Sequence, residues 1–181
     1  DTTAAQGRTG SRTLALQRSY FTLSPVTVNG RIVYRETPFA GAVRPGDLLL
    51  VRLTTAGSKD WRYLMLEDPI PAGTEPVQQD QLYTLEQKRS FWWGSQREFR
   101  DSRVVFFLET FGEGRYEFSY LLKVTTPGIF RATPARISAM YVPDATASSD
   151  TITVTVESAA TGAAAAAAPR GRSHRVAAAP V

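Results

Sequence analysis

The feature that most constrains this chain is a spacing of two. In "TITVTVE" (151–157), Ile152, Val154 and Val156 alternate with threonines, and in "RYEFSYLLKV" (115–124), Tyr116, Phe118, Tyr120 and Leu122 share one side. Extended backbone turns successive side chains to opposite faces, so each run has an apolar face that must be stacked on another layer. "RVVFFLET" (103–110), "LLLVRLTT" (48–55) and "WRYLMLE" (61–67) are further runs of strand-forming residues, with shorter ones at "RIVY" (31–34) and "RSYFTL" (18–23). No stretch shows a convincing helical period. The expected architecture is an all-β, antiparallel sandwich of about seven to nine strands, with Leu64, Leu66, Phe106, Tyr116, Phe118, Tyr120, Val154 and Val156 in its core.

The connectors carry turn chemistry. "NG" at 29–30 precedes the 31–34 run, "RPGD" (44–47) stands before 48–55, and "TTPG" (125–128) follows 115–124. "FGEG" (111–114) reads as a hairpin loop. In "EDPIPAG", Asp68 stands before Pro69, with Pro71 two residues on; the expected role is a stiff corner in which the Asp68 carboxylate accepts backbone N–H groups. Residues 77–100 have no clear period and are expected to form a long excursion, with a helical turn near 80–88.

Composition divides the chain into three. Residues 1–19 are expected to be a flexible head, 20–158 the domain, and the low-complexity, Ala/Arg-rich segment 159–181 a disordered tail. Because the chain begins with Asp1 and lacks a basic-then-apolar leader, the expectation is a mature chain or an excised fragment. No apolar run approaches the roughly 20 residues of a membrane span. The net charge of +4 lies at the ends: the tail carries +3 and the head +2, leaving −1 on the middle. A nucleic-acid partner needs a basic stripe on the folded body, so that class is set aside.

Few groups are available for catalysis or cofactor binding. The chain has no cysteine, which excludes a thiol nucleophile, a thiolate metal site and a disulfide framework, and no cofactor or metal is expected. The one histidine, His174, lies in the tail, so a Ser–His–Asp relay has no base in the domain. Glu67 and Asp68 are adjacent carboxylates, whereas a glycosidase needs two across a cleft. "REFRDSR" (97–103) reads as solvated cross-strand pairs among Arg97, Glu98, Arg100 and Asp101. "FWWG" (91–94) places Trp92 and Trp93 on opposite faces of a strand, one for packing and one for a surface, where a sugar-binding platform is an alternative. Thr84 in "TLEQ" occupies the place of the cysteine in the Cys-x-Glu-Gln of an internal thioester, and a hydroxyl cannot form that bond. "ISAMYVPD" (137–144) sets Met140 and Tyr141 side by side where a strand runs out toward Pro143. They either end the core or cover something outside the chain.

Several phrases together resemble one family. "PGDLLLVRLTT", "YLMLEDPIPAGTEPV" and "REFRDSRVVFFLETFGEGRYEFSYLLKVTTPGIFRATPARISAMYVPD" follow in the order of the C-terminal macroglobulin-like domain of bacterial α2-macroglobulins, across roughly 20–158. Residues 77–96 fit poorly, and the tail departs from the family pattern. The resemblance implies a macroglobulin-type, fibronectin-like sandwich near the end of a periplasmic protease trap. In such traps cleavage of a bait region exposes a thioester in another domain, which bonds to the protease. It further implies that Met140 and Tyr141 lie against the thioester and keep water away. The partner is then a thioester domain of the same or a companion chain, with target proteases reached indirectly and no catalysis here. The alternative is a free-standing sandwich that binds carbohydrate or a cell-surface protein through 77–100 and Trp92 or Trp93.

Overall fold

A computed structural model of the chain describes residues 9–10, 13–87 and 95–158. Its strands are β1 (Thr9–Gly10), β2 (Leu14–Val28), β3 (Arg31–Pro38), β4 (Ala42–Val43), β5 (Leu48–Gly57), β6 (Trp61–Pro69) and β7 (Thr74–Pro76). After one turn of 3-10 helix at Asp80–Leu82 come β8 (Ser95–Arg100), β9 (Arg103–Phe111), β10 (Gly114–Val124), β11 (Gly128–Ala132), β12 (Arg136–Ala139), β13 (Val142–Ser148) and β14 (Ile152–Val156). One sheet has the order β1-β13-β12-β6-β9-β8, a second β3-β2-β5-β10-β7, and a small third β11-β14-β4. Among the described residues the strand pairings are antiparallel except the two-residue β14–β4 contact, with one further parallel bridge between Tyr34 and Leu85. The fourteen strands among the described residues exceed seven to nine in part because short pieces such as β1, β4 and β7 are added at sheet edges.

The two large sheets face each other across one core. Rings meet from both sides: Phe106 of β9 lies 5.3 Å from Phe118 and 6.4 Å from Tyr120 of β10. Leu64, Leu66, Phe106, Phe118, Tyr120, Val154 and Val156 are buried as expected, while Tyr116 is half-buried at the margin against Phe111.

The N-terminal boundary at 20 is corrected. β2 begins at Leu14, and Leu14, Leu16 and Tyr20 are all buried in the core with the period of an extended strand. Residues 14–19 pair with β5 along Leu14↔Gly57 to Ser19↔Arg52, so they belong to the sandwich. The "NG" turn closes the β2–β3 hairpin, with Asn29 and Gly30 both at positive φ (50° and 76°), the conformation of a two-residue turn matched to strand twist. "FGEG" is no hairpin. β9 pairs with β6 and β8, and β10 with β5 and β7, so 111–114 carries the chain from one sheet to the other. Asp60 on the neighbouring crossover accepts the Glu113 N–H at 2.9 Å.

The five-stranded sheet is covered on both faces, which explains the unbroken apolar run "LLLV" in β5. Leu49, Val51 and Leu53 point to the main core, whereas Leu50 joins Leu23 and Leu121 in a second cluster on the outer face. The excursion supplies the cover: Val77, Tyr83 and Leu85 pack on this cluster. Backbone bonds fix it, from Tyr34 N–H to Thr84 O (2.8 Å), Glu86 N–H to Tyr34 O (2.9 Å) and Val77 N–H to Leu121 O (2.9 Å). The expected helical turn is the Asp80–Leu82 turn, and the excursion ends before β8, which is an ordinary edge strand.

Candidate functional site

The tip of the β12–β13 hairpin gathers exposed apolar residues at one sheet end. β12 stops at Ala139, which pairs with Val142, so Met140 and Tyr141 form the turn itself. The register shifts between Ser138 and Ala139, from Ser138↔Thr146 to Ala139↔Val142, which leaves extra residues around Pro143 on β13 as a bulge. Pro143 has no N–H to give to a ladder, which suits that place. Met140 is 44 % exposed, Tyr141 78 % and Val142 47 %. Neither large side chain ends the core, and the expectation of substantial exposure matches these values.

Tyr63 on β6 completes the patch and was not singled out by the sequence. It is 43 % exposed, its ring meets Tyr141 edge-to-face at 5.6 Å, and its carbonyl accepts the Met140 N–H at 2.9 Å. Its φ of 56° is left-handed, a conformation that costs a residue with a Cβ about 1–2 kcal/mol. The kink resets the strand's phase. Trp61 and Leu64 are both buried and the two residues between them are exposed, where plain alternation would bury every second residue.

The acid–proline corner differs from expectation. Asp68 lies within β6, fully buried in phase with Leu64 and Leu66, and not in a turn. Its Oδ1 receives Arg18 Nη1–H at 2.5 Å and its Oδ2 receives the Tyr120 hydroxyl at 2.8 Å. Side chains, not turn amides, are therefore its partners among the described residues. Arg18, with its side chain 2 % exposed, also donates to the carbonyls of Thr133 (2.9 Å), Ala132 (3.2 Å) and Asp150 (2.8 Å). Burial pushes the Asp68 carboxyl above its ordinary value, against the opposing pull of Arg18 and Tyr120. Burial likewise holds the Tyr120 hydroxyl protonated well past its usual range, so it stays a donor. The corner itself is made by Pro71, whose carbonyl receives both the N–H (3.0 Å) and the hydroxyl (2.8 Å) of Thr74, while Pro69 is the last residue of β6. Gly73 inside this turn makes room for the Phe130 ring, since a Cβ there would stand 2.1 Å from it and the ring would have to shift.

Glu67 and Asp68 cannot act as a carboxylate pair. Asp68 faces the core, and Glu67 reaches outward to Arg103 at 3.0 Å. Of the "REFRDSR" charges, Arg97, Glu98 and Arg100 do not pair across strands as expected: Arg100 holds Glu98 at 2.9 Å two residues away on the same strand, in solvent, and Arg97 grips Asp80 with two N–H groups and so fastens the excursion. Trp92 and Trp93 lie outside the described residues.

Residues 14–144 match the family described as the bacterial alpha-2-macroglobulin MG10 domain. An alpha-2-macroglobulin homolog of Nostoc sp. is 26 % identical over 125 residues, covering 65 % of this chain and 7 % of the relative. The alpha-2-macroglobulin of Xylella fastidiosa is 27 % identical over 116 residues, covering 57 % and 7 %. The chain thus spans under a tenth of the length of these relatives. Among solved structures, the native conformation of Escherichia coli alpha-2-macroglobulin aligns with a TM-score of 0.65 at 24 % identity, over 85 % of this chain and 10 % of that one. A crystal structure of the same protein from domain MG7 to its C-terminus aligns with a TM-score of 0.60 at 22 % identity, over 84 % and 25 %. These two likenesses concern the fold.

Proposed function

The chain belongs to the MG10 domain family of bacterial alpha-2-macroglobulins, and on that premise we propose that it is a non-catalytic docking domain of a periplasmic protease trap. Its β12–β13 tip seats Met140 and Tyr141 on a thioester domain, in the same or a companion chain, and keeps water and amines from the bond until a protease springs the trap. The observation that carries the reading is the tip itself: Tyr63, Met140, Tyr141 and Val142 are large apolar residues, each at least two-fifths exposed, gathered at one end of a well-packed sandwich. Exposed apolar residues gathered in this way support a docking role for the tip. A thioester persists only where nucleophiles are excluded. Methionine fills irregular gaps, and tyrosine adds a broad ring with a polar end, so together they suit a lid over such a bond.

The test is thioester lifetime in the polypeptide that carries both domains. Met140→Ala with Tyr141→Ala should speed loss of the thioester to methylamine while leaving this domain's melting temperature almost unchanged, because neither side chain is part of the core. Unaltered decay in the double variant would refute the reading.

A further inference from the structure

We infer that Tyr63 is the positioning residue of the docking tip, holding the Tyr141 ring in one orientation before the partner arrives; this rests on the shielding role proposed above. A ring exposed as Tyr141 is would ordinarily hop among rotamers on a picosecond-to-nanosecond scale. Here the Tyr63 ring stands against it at 89° and 5.6 Å, the edge-to-face geometry favoured by ring quadrupoles. The same residue anchors the backbone beside it through the bond from Met140 N–H to the Tyr63 carbonyl.

Tyr63 is held in this place at a cost, by the left-handed backbone that also delivers Trp61 to the core. Packing Trp61 explains the kink but not a tyrosine at its apex, because a bulky residue is among the least suited to positive φ and glycine the best. The ring does what glycine could not. It meets Tyr141, which lowers the ordering cost when the tip docks.

Tyr63→Gly separates the two contributions, since glycine keeps the kink and removes the ring. In the 181-residue chain, side-chain coupling constants of Tyr141 should report one rotamer in the native protein and in Tyr63→Phe, and averaging in Tyr63→Gly, with melting temperature retained. In the polypeptide with its thioester domain, Tyr63→Gly should speed loss to methylamine by about threefold, the number of staggered wells opened to Tyr141, and Tyr63→Phe should restore the native rate. A single Tyr141 rotamer in Tyr63→Gly would overturn the inference. So would native methylamine kinetics in Tyr63→Gly where Met140→Ala/Tyr141→Ala is fast. Averaged rotamers in Tyr63→Gly together with native kinetics in Met140→Ala/Tyr141→Ala would instead overturn the shielding role and leave the Tyr63–Tyr141 contact standing.

Discussion

Replacing Asp68 with alanine should destabilise the sandwich far more than the loss of a turn residue does. The substitution leaves the Arg18 guanidinium buried without its counter-ion and the Tyr120 hydroxyl without its acceptor. Breaking a buried ion pair from one side costs about 3–5 kcal/mol, and orphaning a buried hydroxyl about 1–3 kcal/mol. The two overlap. The carbonyls of Ala132, Thr133 and Asp150 still receive Arg18, so the total should fall near 3–4 kcal/mol, at the lower end of what breaking a buried pair costs. For a domain of this size that is a drop of roughly 10 °C in Tm. Urea denaturation followed by circular dichroism measures it, with an unchanged slope expected because the exposed surface is the same. Arg18→Met/Asp68→Leu, which removes both charges, should be less damaged than Asp68→Ala alone. The ionisation has a sign as well. Burial raises the folded-state carboxyl above its ordinary 3.8, so this group's contribution is fully present below that value and is lost as pH rises through the folded value, a slope that Asp68→Asn removes. A cost for Asp68→Ala of about 1 kcal/mol or less, the scale of an exposed pair, would refute the argument.

The excursion over the five-stranded sheet should loosen in acid. The hydrogen bonds from Arg35 hold the Glu86 carboxyl below its ordinary 4.5, so its contribution is present above that value and is lost as pH falls through the folded value. Hydrogen-exchange protection of the Tyr34 and Glu86 amides should therefore fall below about pH 4.5 in the native chain and lose that dependence in Glu86→Gln. Gly73→Ala should cost about 1–3 kcal/mol through the clash with Phe130, and Gly73→Ala/Phe130→Leu should recover part of it. Thermal denaturation of the native chain and the two variants checks this.

The period of two carried most of the architecture, because the alternating runs have faces that only a second layer can bury. The "NG" turn was legible for a similar reason, since its two residues suit positive φ. Arg18 and Asp68 hid the rest. Each stands in phase with apolar neighbours, Arg18 with Leu14, Leu16 and Tyr20, and Asp68 with Leu64 and Leu66, yet a charge on an apolar face looks like the end of a strand. Reading the two breaks as partners would have found both the start of β2 and the buried pair. The "FGEG" crossover is not legible in the sequence, because a short loop between two strands fits a hairpin and an arch equally well, and only pairing decides. Pro143 marked where the chain turns beside Met140 and Tyr141, while their place alone left open whether they end the core or face outward. Nothing in "WRYLM" signals left-handed backbone at a tyrosine, so the place of Tyr63 in the tip is visible only in the fold.

Oxidative footprinting of the tip tests the central claim most directly. Met140 and Tyr141 are exposed in the isolated chain, and an accessible methionine is oxidised to its sulfoxide. On the proposed function, labelling of both residues should be fast in the 181-residue chain, suppressed in a polypeptide that carries the thioester domain as well, and restored after that polypeptide has been treated with a protease. Equal labelling of Met140 and Tyr141 in all three states would contradict the account.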